Sequence, residues 1–216
     1  MERLLEATAR VERDHFWFRG FRRFVRPFVE RAVEEAGAGR GPAAAEILDC
    51  GCGTGHNLTL LREFGRTYGI DLTWTGLQVA HARGERKIAR ATAAALPFGS
   101  ARFDLITSFD AIHDQRDPAT VLRRVAGALA PGGVYLMVEP KASSKLEENI
   151  GNPFAPYMYG MSVLHCMTVS LAAGGAGLGT AWGEQTARRM LGEAGFATVE
   201  VVDARGPQNS IYICRL

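Results

Sequence analysis

The densest chemical signal in this chain is the run Asp49-Cys50-Gly51-Cys52-Gly53-Thr54-Gly55, with Asp71 standing 20 residues beyond Gly51. Alternate glycines let the backbone turn sharply and let a ligand come up against the main chain. A carboxylate closing the next strand can accept two hydrogen bonds from the hydroxyls of a ribose. Together they point to a ligand that carries a nucleoside. A nicotinamide fingerprint needs G-x-G-x-x-G, but the third glycine's position is occupied by His56, which argues against a pyrophosphate on the next helix. No G-x-x-x-x-G-K-[ST] run occurs, which excludes a P-loop.

Proton transfer near neutral pH is the work of histidine, and there are five: His15, His56, His81, His113 and His165. His56 and His81 fall at helical positions and read as structural. His165 lies in an apolar segment, where a lone histidine is more often a satisfied core residue. The four cysteines, Cys50, Cys52, Cys166 and Cys214, form no CxxC pair. A zinc site or redox motif is therefore not expected, and no metal is assigned. Buried free thiols fit a reducing cytoplasm.

These residues need a scaffold, and the hydrophobic pattern supplies one. Short apolar runs alternate with amphipathic stretches from Glu46 onward. Strands are expected at Ile47–Cys50, Thr67–Asp71, Lys87–Ala91, Phe103–Phe109 and Val134–Val138. Helices are expected at His56–Glu63, Thr75–Arg83 and Ala119–Leu129. Such alternation implies a parallel sheet covered by helices on both faces. A helix over Glu184–Ala194, closed by Gly195, precedes a final strand pair, Ala197–Val202 and Ser210–Cys214, joined through Gly206-Pro207-Gln208-Asn209. The stretch 141–182 reads as irregular, a cap insertion over a site, and the glycines from Gly174 to Gly179 as a loop. Residues 1–44 read as a helical and aromatic arm, ending in a Gly/Ala-rich linker from Gly37 to Ala44. Residues 45–216 read as one α/β domain. The arginines of the arm (Arg19, Arg22, Arg23, Arg26, Arg31) read as a solvated helix face.

Bulk properties narrow the partners. The 216 residues are 47% hydrophobic and 22% charged, with a net charge of +2, too small to argue for nucleic acid or an anionic membrane. Met1-Glu2-Arg3 opens no apolar leader, and the longest apolar stretch, Tyr157 to Trp182, is broken by glycines.

The ordered blocks resemble those of class I S-adenosylmethionine-dependent methyltransferases. Ile47 to Gly55 resembles the family's first motif, and Gly69-Ile70-Asp71-Leu72 its acidic loop. Ala95-Leu96-Pro97-Phe98 resembles the adenine-side loop, Phe103 to His113 the fourth motif, and Leu129-Ala130-Pro131-Gly132-Gly133 the turn before strand five. The resemblance implies a Rossmann-like, doubly wound, seven-stranded, mostly parallel sheet with an antiparallel last strand. It implies that Asp49, Gly51, Gly53 and Gly55 form the methionine side of the cofactor site. Asp71 would hold the ribose, Leu72 would pack on the adenine, and Asp110 would face the methionine ammonium, with Phe109 also in the cofactor site. Relatives carry an Asp before the Leu-Pro-Phe block to bind the adenine amine. This chain has Ala91-Thr92-Ala93, which leaves the Thr92 hydroxyl or the backbone near Ala93 and Ala94. His113 would sit nearest the methyl group, making it the first candidate base, with His165 second and Glu139 and Tyr157 behind them.

The run His15-Phe16-Trp17-Phe18-Arg19-Gly20 resembles the N-terminal arm of one bacterial group. Trp17 or Phe18 would cover the sulfonium, and Arg19 would pair with the cofactor carboxylate; equally, the aromatics staple the arm to the core. The region from Tyr159 to Glu184 resembles a second group. Its apolar content suggests a small apolar or aromatic acceptor, with core packing expected for most of Met158, Met161, Val163 and Leu164. An Asn/Asp-Pro-Pro-Tyr/Phe motif is absent after strand four, which sets a nucleic-acid substrate aside. The expectation is methyl transfer to a small molecule by a cytoplasmic monomer or homodimer. The rival reading is a cofactor-binding regulator or inactive scaffold.

Overall fold

The computed structural model describes residues 2–37, 45–202 and 208–216. The expected linker therefore lies outside the described residues from 38 to 44, and so does the strand connection from 203 to 207.

Seven strands form one sheet in the order β3-β2-β1-β4-β5-β7-β6. They are β1 (Glu46–Cys50), β2 (Arg66–Asp71), β3 (Ile88–Arg90), β4 (Phe103–Phe109), β5 (Leu129–Pro140), β6 (Thr198–Val202) and β7 (Asn209–Arg215). Only β7 runs against the rest. Strand order reverses between β2-β1 and β4-β5, so the loops after β1 and β4 diverge and leave a crevice. The central strands are continuous apolar runs because both faces are covered. Leu48, Ile106, Tyr135 and Met137 enter one core layer, and their neighbours Ile47, Leu105, Val134 and Leu136 enter the other.

Helices α1 (Glu2–Val11) and α2 (Phe16–Ala36) precede the sheet. Val25, Val29, Ala32 and Val33 of α2 are buried in the second layer against β4 and β5. Burial of each of the three valines contributes about 1.5–3 kcal/mol, so α2 is part of the domain core. Its arginines are less free than a solvated face implies. Arg31 makes two hydrogen bonds of 2.8 Å to Glu200 and one to Glu35. Arg26 pairs with Glu63, and Arg22 reaches the Glu12 carbonyl.

The remaining helices are α3 (Leu58–Leu61), α4 (Trp74–Ala82), α5 (Pro118–Ala128), α6 (Ala155–Met161), α7 (Met167–Ala172) and α8 (Glu184–Glu193). α5 starts where Asp117 accepts the Thr120 N–H at 2.9 Å and Pro118 presets the first turn. α3 is shorter than expected, because the glycine loop still runs at Gly55 (φ +75°) and the turns after Leu61 close on i−3 carbonyls. The expected turn Pro131-Gly132-Gly133 lies within β5, as an irregularity opposite Phe103 and Leu105.

The cap differs most from expectation. α6, a π-turn (Ser162–Cys166) and α7 form one continuous helical run where an irregular segment was expected. Its buried positions are Ala155, Met158, Ser162, Cys166 and Ser170, whereas Val163 and Leu164 are 60% and 81% exposed. Of the four residues expected to pack in the core, only Met158 is buried. The segment Gly174–Gly179 is a loop, as expected, docked on the turn after β4. Ala176 donates to the Arg116 carbonyl at 3.0 Å and Gly179 to that of His113 at 3.1 Å. Gly175 comes so close that a Cβ would lie 2.6 Å from Arg116 Cα.

Candidate active site

A cavity of about 800 Å³ opens at the C-terminal ends of β1, β2 and β4, at the reversal of strand order. Its floor is the glycine loop. The Gly51 and Cys52 N–H groups both donate to the Ile70 carbonyl, at 2.9 and 3.0 Å, folding the loop over β2. Gly51 (φ +86°) and Gly53 (φ +51°) adopt backbone conformations that favour glycine. A Cβ on Gly53 would meet nothing within 4 Å, since that side of the loop faces the cavity. Gly55 serves packing instead: a Cβ there would lie 2.7 Å from the Ala80 Cβ, and the residue does not line the cavity.

Asp71 stands beside the loop. One carboxylate oxygen accepts the Gly53 N–H at 2.8 Å, and the other accepts the N–H of Thr73 at 2.7 Å and its hydroxyl. The next residue, Leu72, exposes 56% of its surface at the cavity edge, a flat apolar ledge. Thr92, Ala93 and Ala94 form the facing wall. The Thr92 oxygen accepts the Ala94 N–H at 3.2 Å, so its own proton is left to donate into the cavity.

Beneath the loop lies Asp49, 1% exposed. One oxygen accepts the Thr107 hydroxyl at 2.8 Å, and the other has no partner. Burial pushes its carboxyl up to about 7; the Thr107 hydrogen bond opposes this and the nearby Asp71 charge adds to it. At the end of β4, Phe109 and Asp110 also line the cavity. Asp110 has φ +57° and is held through its N–H on the Val138 carbonyl at 2.8 Å. Its side chain is 58% exposed, yet it sits in a concavity that water reaches without surrounding it. That partial desolvation, with Glu139 adding and His113 opposing, raises its carboxyl to about 6.

The turn after Asp110 is built around Glu139, which is fully buried. One of its oxygens accepts the N–H groups of Ala111 and Ile112, at 3.2 and 2.8 Å. The other pairs with His113 Nδ1 at 2.7 Å. Burial alone would lower the imidazole's pKa. The Glu139 charge and hydrogen bond, a hydrogen bond to Cys166 and the Asp110 charge together outweigh it, so His113 is raised and is an imidazolium at neutral pH. Asp110, His113 and Glu139 offer donor atoms within 4.8 Å of one another, a spacing a metal ion could use. Both Glu139 oxygens are already taken by three donors, and the arrangement is satisfied as an ion pair.

The expected site residues thus divide. Gly51, Gly53, Asp71, Leu72, Thr92, Ala93, Ala94, Phe109 and Asp110 line one cavity, and Asp49 lies under its floor. The two expected bases do not line it. His113 is turned into its ion pair, and His165 lies half-buried in the π-turn. A charged imidazolium with a carboxylate partner is not set up to accept a proton. Trp17 and Arg19 are exposed at the start of α2 and Phe18 is half-buried, all away from the cavity. The arm reaches the cavity through Leu5 of α1 instead. It is locked to the glycine loop by Glu12, 4% exposed, which accepts the Thr54 hydroxyl at 2.7 Å and pairs with Arg83. Residues the sequence did not single out are Asp114 and Gln115 in the turn, and Val169, Ser170 and Ala173 at the end of the cap. The available signal was the acidic Asp114 directly after His113.

The cavity fits a cofactor with a nucleoside at one end and positive charge at the other. It has the Asp71 carboxylate at the edge of the glycine loop, a floor open to main-chain contact, and the Asp49 carboxylate beneath that floor with one oxygen unpartnered. Fold and site together have the form of the class I S-adenosylmethionine-dependent methyltransferases. Residues 48–137 match the family model described as a methyltransferase domain. The O-methyltransferase cnsE of Penicillium expansum is 33% identical over 202 residues, covering 87% of this chain and 64% of that protein. The erythromycin 3''-O-methyltransferase of Saccharopolyspora erythraea is 27% identical over 189 residues, covering 82% of this chain and 58% of that protein. The chain therefore spans about three-fifths of the length of these relatives. Among solved structures, an S-adenosylmethionine-dependent methyltransferase from Mesorhizobium loti superposes with a TM-score of 0.58 at 25% identity, over 87% of this chain and 100% of that one.

Proposed function

We propose that the protein transfers the methyl group of S-adenosylmethionine to a hydroxyl group of a small, partly apolar acceptor. The observation that carries this is the extent of the cavity. It continues past the cofactor residues to a wall made by Asp114, Gln115 and the cap residues Val169, Ser170 and Ala173. Its volume of about 800 Å³ lies in the upper part of the range for small-molecule sites. The hydroxyl is favoured because the two curated relatives are both named O-methyltransferases. The cofactor supplies an electrophilic methyl on sulfur. The chain's own part is to align the acceptor and keep water out. Asp71 and the glycine loop hold the nucleoside, Asp49 and Asp110 balance the cofactor's positive charge, and Thr92 with Leu72 holds the adenine. No described helix is long and apolar enough to cross a membrane.

The competing reading is a cofactor-binding scaffold without turnover, motivated by the missing adenine-side Asp at Ala91-Thr92-Ala93. A turnover panel of phenols, sugar hydroxyls, amines and carboxylic acids, read as S-adenosylhomocysteine formed, separates the two. Turnover confined to hydroxyl acceptors is the expected result. Tight cofactor binding with no turnover on any acceptor favours the scaffold, and turnover on amines alone overturns the hydroxyl assignment.

A further inference from the structure

We infer that Asp114 is the catalytic base of the site, taking the proton from an acceptor hydroxyl held between the turn after β4 and the end of α7. This rests on the reading of the site as a hydroxyl methyltransferase.

The inference starts from which ionisable groups reach the cavity. Both expected histidines are absent from its lining. Asp71 is committed to the Gly53 N–H and to Thr73. Asp117 caps α5, and the hydrogen bonds from Thr120 hold its carboxyl below the ordinary value, which makes it a weak base. Arg116 is a permanent cation. Asp110 lies 3.7 Å from the His113 imidazolium and beside the glycine-loop end of the cavity. Asp114 remains. Among the described residues its side chain makes no ion pair within 4 Å, and its one hydrogen bond to another side chain is from Gln115 Nε2, at 3.5 Å. It shares its wall of the cavity with Val169, Ser170 and Ala173 of the cap, and its carboxylate interacts with the charge of His165 in the π-turn. That places it toward the cap.

The backbone around Asp114 is fixed from both sides, as a base requires. The His113 carbonyl accepts the Gly179 N–H at 3.1 Å, the Gln115 carbonyl accepts the Ser170 hydroxyl at 2.9 Å, and the Arg116 carbonyl accepts the Ala176 N–H at 3.0 Å. Glu139 anchors the preceding Ala111, Ile112 and His113. On this account the His113–Glu139 pair positions the turn that presents Asp114.

The electrostatics suit the task. Burial raises the Asp114 carboxyl above its ordinary value. The charges facing it are His113, which opposes the rise, Glu139 of β5, which adds to it, and His165 of the cap, which opposes it. A carboxyl group whose pKa is raised is a stronger proton acceptor. In the step, the acceptor oxygen forms its bond to the methyl carbon as its proton passes to Asp114. The carbon–sulfur bond breaks with its electron pair on sulfur. The products are a methyl ether, a neutral thioether and a protonated Asp114, which returns the proton to water.

The test uses a series of ring-substituted phenols of falling pKa, ending with 4-nitrophenol, with wild type, Asp114→Asn and Asp114→Glu. S-adenosylhomocysteine affinity is measured first and is expected to stay within about twofold in all three. For unsubstituted phenol, kcat in Asp114→Asn is expected to fall about 10²- to 10³-fold, with partial recovery in Asp114→Glu. The loss should shrink toward 4-nitrophenol, which needs little help to ionise, and the acid limb of the kcat profile should vanish in Asp114→Asn. A separate readout needs no turnover. In carboxyl-¹³C aspartate-labelled protein saturated with S-adenosylhomocysteine, the resonance missing in Asp114→Asn should shift when phenol binds to the wild type. A kcat in Asp114→Asn within threefold of wild type overturns the inference, as does a loss equal across the series or a carboxyl resonance blind to phenol. Cofactor binding by a wild type that methylates neither a phenol nor a sugar hydroxyl of the turnover panel overturns the hydroxyl reading together with the base. Failure to bind S-adenosylhomocysteine at all would strike the methyltransferase reading beneath both.

Discussion

Replacing Asp49 by Asn should make the free protein more stable and the cofactor site worse, and both effects should depend on pH. Asp49 is 1% exposed, with one oxygen bonded to Thr107 and the other unpartnered, and its carboxyl is pushed from 3.8 to about 7. An acid whose pKa is raised by folding binds its proton more tightly in the native state. Its ionisation therefore costs nothing below about pH 4, costs progressively more as pH rises toward 7, and levels off above. At roughly 1.4 kcal/mol per unit, about three units give a plateau of up to about 4 kcal/mol. Asp49→Asn removes that cost while keeping an oxygen for Thr107. The variant should melt higher than wild type at pH 8, by up to about 8–16 °C at roughly 2–4 °C per kcal/mol, and the gap should narrow through pH 5 and close by about pH 4. Cofactor binding runs the other way. A cation in the cavity favours ionised Asp49, so binding at pH 6 should expel about 0.9 proton and be about tenfold weaker than at pH 8. Calorimetry with S-adenosylhomocysteine in two buffers of different ionisation enthalpy reads that proton directly. In Asp49→Asn, affinity at pH 8 should fall and most of the pH dependence should disappear; Asp110, raised to about 6, supplies what is left. A variant no more stable than wild type at pH 8, or one with the same proton release, would refute the reasoning.

Two further predictions test how the site is held. Glu12→Ala removes the buried acceptor of the Thr54 hydroxyl and the partner of Arg83. Arg83 keeps its bond to the Ala9 carbonyl, so the cost should be about 3 kcal/mol, the low end for a broken buried pair, seen as a melting point about 6–12 °C lower. An unchanged melting point would show that the arm is not locked to the glycine loop. Gly179→Ala places a Cβ 2.0 Å from Ser162 Oγ at a residue with φ +72°. It should disturb the cap and the turn it pins, cutting turnover at least tenfold while leaving S-adenosylhomocysteine affinity within a factor of about three. Equal losses in both would mean that the cap supports the cofactor half as well.

The alternation of strand and helix from β1 to β5 was legible because buried parallel strands are continuous apolar runs and each helix carries its own stripe and cap, as Asp117-Pro118 does for α5. The glycine loop and Asp71 were legible for a related reason, since their roles depend on backbone freedom and short-range spacing. The cap was not. From Gly151 to Gly183 there is no Asp, Glu, Lys or Arg to mark a wet face. The helical run buries Ser162, Cys166 and Ser170 while exposing Val163, Leu164 and Leu171, the reverse of an amphipathic pattern, and its π-turn spaces the buried positions by four. The choice between His113 and Asp114 could not be read locally either. Adjacent side chains take different directions here, and Glu139, 26 residues on from His113, captures the imidazole. Glu12 and Arg83 are likewise 71 residues apart, so no local pattern could show that the arm meets the glycine loop through this pair and not through its aromatics.

The central claim is that the cavity between β1 and β4 holds a methyl-donor nucleoside on Asp71. The most direct test is calorimetric titration of S-adenosylhomocysteine into wild type and Asp71→Ala at pH 8, with circular dichroism confirming that both are folded. Saturable one-to-one binding by the wild type is expected, weakened by about 1.5–3 kcal/mol in the variant, roughly 10- to 150-fold, as charge-assisted hydrogen bonds to the ribose are lost. No binding by a folded wild type, or equal affinity in the two proteins, would contradict it.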